Sequence, residues 1–249
     1  MPTGTKSISP SVKTAYMREY RARNREILRA YEREYRKKNP KIACSRGMRT
    51  RAKLRKQILN AYGNACACCG ETTVQFLSLD HIHGDGAAHR REFGYKQLGS
   101  GGGEIYREVA KLGFPKDRFQ LLCMSCNHSH GRYGYCPHKG RPTEPLVGRK
   151  KWNRTAKQNV ITAYGGKCVC CDETALEFLS IDHINGQRRA DETRHKGTYF
   201  YLWLKQQGYP KDIYQLLCMN CNFAEGHGGC PHKCPHKCPQ QFTCTELAA

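Results

Sequence analysis

The stretch Cys66-Ala-Cys-Cys69, followed by FLSLDHIHG at 76–84 and QLLCMSCN at 120–127, recurs later in the chain. The second copy reads Cys168-Val-Cys-Cys171, FLSIDHING at 178–186 and QLLCMNCN at 215–222. Each copy carries two Cys-x-x-Cys pairs: Cys66/Cys69 with Cys123/Cys126, and Cys168/Cys171 with Cys218/Cys221. An Asp-His pair lies between them (Asp80-His81, Asp182-His183), and an Asn directly follows the last Cys (Asn127, Asn222). Four thiolates at this spacing fit a closed tetrahedral zinc site. The Asp and Asn offer oxygens to a harder cation, and the His offers a base for water. An isolated Asp-His is usually a surface or capping dipeptide; one that sits between two Cys pairs, twice, points to chemistry.

The other cysteines read differently. The outer residues of each quartet already have the required spacing, so Cys68 and Cys170 read as small buried residues. Cys136 with His138, and Cys230 with His232, form a Cys-Pro-His-Lys motif in both copies, which leaves an auxiliary metal site open. Cys234, Cys238 and Cys244 fall in a low-complexity tail. Sixteen cysteines in all would also suit a secreted disulfide scaffold. Against that, MPTGTKSISP has no apolar signal core, and paired Cys beside His and Asn suit metal better. An intracellular, reducing compartment is expected.

At 249 residues the chain could hold one large domain or two modest ones, and the repeat favours two. Hydrophobic residues make up 39%, so each module has a small core that metal ligation can supplement. The expected organisation is a basic arm at 1–55, modules at 56–139 and 152–233, a Pro/Gly-rich linker at 140–151, and a tail at 234–249.

The net charge of +21 comes from 42 Lys and Arg against 21 Asp and Glu. Such a balance implies a polyanion, with nucleic acid the first choice: DNA favoured, RNA open. A polybasic membrane-surface protein is the rival, but no apolar run approaches the ~20 residues of a bilayer span. Residues 1–55 hold 17 Lys and Arg against 4 Glu. REYRARNREI at 18–27 recurs as REYRKKNPKI at 33–42, and Tyr16/Tyr20 and Tyr31/Tyr35 are spaced by one helical turn. A helix is expected up to Asn39-Pro40, with Arg21, Arg25, Arg36, Lys37 and Lys38 along phosphates. A solvated charged helix is the plainer reading of the same run.

Each module opens with an amphipathic helix. Leu54, Ile58 and Tyr62 match Val160, Ile161 and Tyr164 as core positions. FLSLDHI and FLSIDHI alternate as strands, RFQLLC and IYQLLC read as second strands, and a last short helix starts at Asn127 or Asn222. Between the strands lie a Gly-rich polar loop and a second helix. The loop residues His89-Arg90-Arg91 and Arg188-Arg189 are phosphate clamps or solvated charges. Tyr199, Tyr201 and Trp203 read as core.

This order of Cys-x-x-Cys, strand-borne Asp-His and Leu-Cys-x-x-Cys-Asn resembles the HNH (ββα-metal) nucleases, most closely their recombination endonuclease VII branch, over roughly 66–131 and 168–226. The resemblance implies an α+β fold of two tandem zinc-stabilised ββα-metal modules behind a basic helical arm. It implies two structural Zn²⁺ ions and a catalytic Mg²⁺ or similar divalent cation. Asp80, Asp182, Asn127 and Asn222 would hold that cation, and His81 and His183 would act as general bases. Three residues past the Asn, the branch has a Glu; here Glu225 stands in the second copy and His130 in the first. Where many of these proteins have a middle Asn, this chain has Arg118 and Ile213. With two modules in one chain, an oligomer is not required. The reading from another class is a non-catalytic nucleic-acid-binding protein that keeps the zinc fold.

Overall fold

The computed structural model describes residues 10–92, 101–184, 197–225 and 229–232. Arg188, Arg189 and the 234–249 tail lie outside them. The described residues form nine α-helices and two separate two-stranded antiparallel sheets, an α+β chain.

The chain divides into two compact units, the first running to Thr50 and the second starting at Arg51. The first unit holds α1 (Pro10–Arg23), α2 (Arg25–Lys38) and the start of α3 (Pro40–Ala61). As expected, Pro40 ends the preceding helix. Asn39 leaves helical geometry at φ −130°, and its backbone and side-chain N–H groups both donate to the Tyr35 carbonyl. Proline is equally suited to a helix's first turn, where its missing N–H is not needed, so the same residue opens α3. The arm is helical because its charges interleave. Arg23 pairs with Glu19, Arg29 with Glu26 (3.1 Å), Arg36 with Glu32 (2.9 Å) and Lys37 with Glu34 (2.9 Å), each across one turn. No residue of α2 is buried.

The second unit contains both modules. In the first, a 3-10 turn (Val74–Phe76) leads into β1 (Leu77–His81), which pairs with β2 (Phe119–Cys123) in the register Leu77↔Cys123 to His81↔Phe119. α4 (Gly86–Glu92) and α5 (Gly101–Lys111) lie between the strands, and α6 (Met124–Tyr133) follows β2 directly. The second module repeats this with α7 (Gly148–Ala163), β3 (Leu179–His183), α8 (Thr198–Gln206), β4 (Tyr214–Cys218) and α9 (Met219–Glu225), in the register Leu179↔Cys218 to His183↔Tyr214. Three boundaries differ from the sequence reading. α4 occupies what reads as loop, α6 and α9 start at Met124 and Met219 rather than at the Asn, and α7 begins inside the 140–151 segment.

Ile58, Phe76, Leu77, Val109, Phe119 and Leu121 form the first core, and Val160, Ile161, Leu179, Leu204, Tyr214 and Leu216 the second. Phe178 and Ala224 of the second module are buried in the first core. The modules therefore share apolar surface instead of hanging on a flexible linker. Glu177 reinforces this. Its fully buried carboxylate accepts hydrogen bonds from Tyr135 Oη (2.7 Å), Arg154 (3.0 Å) and Arg141 (3.0 Å), which joins both modules to the segment between them.

Candidate functional site

The thiol quartets predicted from spacing are assembled. Cys66, Cys69, Cys123 and Cys126 bring their sulfurs within 4.8 Å of one another, as do Cys168, Cys171, Cys218 and Cys221, and all eight are free thiols. Cys69 and Cys123 Sγ are 3.8 Å apart, and Cys171 and Cys218 Sγ 3.6 Å. A tetrahedron with ~2.3 Å metal–sulfur bonds has edges of about 3.8 Å, so the donor set fits zinc in chemistry and size. Hydrogen bonds from Cys123 and Cys126 hold the Cys66 thiol far below its ordinary pKa, while bonds to Cys123 and Cys66 push Cys126 far above. Four sulfurs this close cannot all lose their protons without a cation among them.

Two further groups of the same kind are present. Cys68, Cys126, Cys136 and His138 place their ligand atoms within 4.8 Å of one another, and so do Cys170, Cys221, Cys230 and His232. Cys68 and Cys170 are half-buried and pack against the two cores, as read from the sequence; Cys68 is also a free thiol of a Cys/His cluster, whereas Cys170 is disulfide-bonded. The Cys-Pro-His-Lys motif is what sequence left open. In the structure, Gly134 ends α6 at φ 78° and Ser129 Oγ donates to the Tyr135 carbonyl (2.8 Å), so the chain turns back and returns Cys136 to Cys126.

Beside each quartet, the Asp, Asn and His are held by a second set of repeated residues. Asp80 Oδ2 accepts from Gln120 Nε2 (3.0 Å), and Asp182 Oδ2 from Gln215 Nε2 (3.1 Å). Asn127 Nδ2 donates to Ser78 Oγ (3.0 Å), and Asn222 Nδ2 to Ser180 Oγ (3.2 Å). Ser78 and Asp80 are two residues apart on β1 and so share a face, which brings Asn127 to the Asp80 side of the strand. Binding Ser78 through nitrogen leaves the Asn127 oxygen for an ion. Burial raises the Asp182 carboxyl, a shift its Gln215 bond partly offsets. Among the described residues, none of the Cys/His/Asp/Glu groups that could hold an ion includes either Asp.

His81 is the last residue of β1, its ring 4.7 Å from that of Phe119. α4 supplies it with a partner: His81 Nε2 lies 2.9 Å from His89 Nδ1. His89 is therefore turned inward, and of the expected clamp only Arg90 and Arg91 remain, on the last turn of α4. A Cβ at Gly86 would lie 3.0 Å from His81 Nδ1, so the absence of a side chain there keeps that nitrogen accessible. Burial lowers the His81 pKa, which favours neutral imidazole. His183 packs on Tyr214 at 4.9 Å.

His130 is exposed on α6, whereas Glu225 is buried at the end of α9, so the two copies differ at that position. At Arg118 and Ile213 the backbone braces the loop: Ile82 N–H donates to the Arg118 carbonyl (3.0 Å) and Ile184 N–H to that of Ile213 (2.9 Å). Arg118 also faces Asp85 at 3.8 Å. Of the three aromatics read as core, Tyr199 is exposed, with Arg149 over its ring and over Trp152. In the arm, Arg21, Arg25 and Arg36 line a shallow groove of about 570 Å³ together with Arg29 and Arg33; Lys37 and Lys38 lie outside it.

Sequence reasoning missed Ser78, Ser180, Gln120 and Gln215, although LS-x-DH and QLLC stand in both copies and carry the signal. It read His89 as part of a phosphate clamp and not as the partner of His81, because the corresponding stretch of the second copy differs. Compared with family models, curated proteins and solved structures, the chain matches none. No described helix is long and apolar enough to cross a membrane.

Proposed function

We propose that the chain is a metal-dependent DNA endonuclease with two cleavage clefts, one beside each thiol quartet. The observation that carries this reading is the repetition of the whole Gln–Asp and Ser–Asn arrangement, with corresponding distances agreeing within 0.2 Å. A zinc site that serves folding alone needs none of these four side chains. Zinc ions in the quartets would hold the start of α6 and α9, and so the Asn, against the strand. A divalent cation of the magnesium type, taken by the oxygens of Asp80 and Asn127 or of Asp182 and Asn222, supplies positive charge for the scissile phosphate and leaving oxygen.

The residues themselves do the rest. Gln120 fixes the Asp80 carboxylate, and Ser78 fixes the rotation of the Asn127 amide. In the tautomer that donates His81 Nε2–H to His89, Nδ1 keeps its lone pair and takes a proton from water. His183 has that role in the second cleft. Arg90 and Arg91, and separately the arginine stripe of the arm, contact phosphates, which holds the duplex without reading its sequence.

The arm's charge serves a non-catalytic DNA-binding protein equally well, and one experiment separates the two. Supercoiled plasmid and branched DNA are incubated with the full chain in Mg²⁺ and in EDTA. Cleavage in Mg²⁺ that stops in EDTA supports the nuclease. DNA retarded in a gel yet uncut in every divalent cation supports the binding protein.

A further inference from the structure

We propose that the first module holds two metal ions that share Cys126 as a bridging thiolate. Cys126 belongs to both ligand groups of the module, with Cys66, Cys69 and Cys123 on one side and Cys68, Cys136 and His138 on the other. Two tetrahedra that share one corner need seven ligands, and six cysteines and one histidine supply them.

The distances suit this arrangement. Cys126 Sγ lies 3.2 Å from His138 Nδ1 and 3.6 Å from Cys136 Sγ, and Cys136 Sγ lies 3.5 Å from His138 Nδ1. With metal–sulfur bonds of ~2.3 Å and metal–nitrogen bonds of ~2.05 Å, tetrahedral edges come to about 3.8 Å between sulfurs and about 3.5 Å between sulfur and nitrogen. Cys126 and Cys136 are buried and every cysteine of the two groups is a free thiol, so no disulfide competes for these sulfurs. A thiolate has lone pairs enough for two soft cations. Sharing one also keeps the cluster's charge below that of two separate sulfur quartets.

The second ion has a structural consequence. It ties the Cys-Pro-His-Lys turn to α6 and so fixes the His138 ring, which lies 4.9 Å from Phe178 of the second module. The soft Cys₃His ion thereby holds the docking surface between modules, while the Cys₄ ion holds the helix start. In the second module Cys170 is disulfide-bonded, so the assignment is made for the first.

The test uses the full chain loaded with ¹¹³Cd as a spectroscopic substitute for zinc. The expected spectrum contains an S₃N resonance and an S₄ resonance split by mutual cadmium–cadmium coupling through the shared sulfur. His138→Ala shifts the S₃N signal, or removes it together with the splitting of the S₄ resonance, and native mass spectrometry of Cys68→Ser loaded with zinc shows one ion fewer than the wild type. A wild-type spectrum with only S₄ signals, or with an uncoupled S₃N signal, overturns the bridge whether or not the variants fold. An unchanged metal count in a folded Cys68→Ser chain overturns the site.

Discussion

The ring of His232 lies 5.2 Å from that of Phe76, and the equivalent pair, His138 and Phe178, is 4.9 Å apart. Each module thus offers its Phe to the other's His, the reciprocity of a two-fold interface between identical subunits, here built within one chain. Cys69 with Cys171, and Phe76 with Phe178, line the cavity of about 510 Å³ between them. Phe76→Ala or Phe178→Ala should each cost about 3–5 kcal/mol in urea unfolding, since both rings are buried. Either substitution should loosen both modules in a single transition. Two separate transitions, one unaffected by the substitution, would show that the modules fold independently.

Glu177 is the polar counterpart of that contact. Burial by itself raises its carboxyl, but the bonds from Arg141, Tyr135 and Arg154 outweigh it and hold the pKa down at about 2. A depressed carboxylate stabilises the fold above its unfolded pKa of 4.5 and loses that contribution as pH falls towards 2. Glu177→Gln should cost about 3 kcal/mol at neutral pH, measured by chemical denaturation. A change under ~0.5 kcal/mol would mean that the arginines find equal partners elsewhere.

Lys157 works in the opposite direction. It is buried with Nζ 2.9 Å from Tyr133 Oη, and burial pushes its ammonium from 10.5 down to about 8. Between those values the unfolded chain binds more protons than the folded one, so stability rises with pH from about 8 to about 10.5. The gain should approach about 3 kcal/mol for the wild type and vanish in Lys157→Met. Parallel pH profiles for the two proteins would contradict the assignment.

Much of this was legible because ligand spacing is a local property. Two Cys pairs fix each quartet, and both cores follow from apolar alternation in β1 to β4, whereas α6 and α9 start at Met124 and Met219, ahead of the Asn. What sequence could not give depends on chain reversal. Cys68 looks redundant until Gly134 turns Cys136 and His138 back towards it, and Tyr199 looks like core until Arg149 is seen over its ring. The α4 helix hides in a segment rich in Gly, and without it His89 has no visible reason to meet His81.

The arm carries a further prediction. Arg21, Arg25, Arg29 and Arg33 recur every fourth residue along one side of α1 and α2 and, with Arg36, line the groove. Replacing all five with Ala should weaken DNA binding and flatten its dependence on log salt by about 0.9 for each phosphate that is no longer neutralised. Filter binding across a salt series measures this. An unchanged slope would place the stripe away from DNA.

The most direct measurement compares plasmid cleavage by the wild type, Asp80→Ala, Asp182→Ala and the double variant, in Mg²⁺ and at equal zinc content. Two working clefts predict linear product from the wild type, nicked circles from each single variant, and a loss of at least ~10² in rate from the double variant. A double variant that cuts as fast as the wild type would contradict the account.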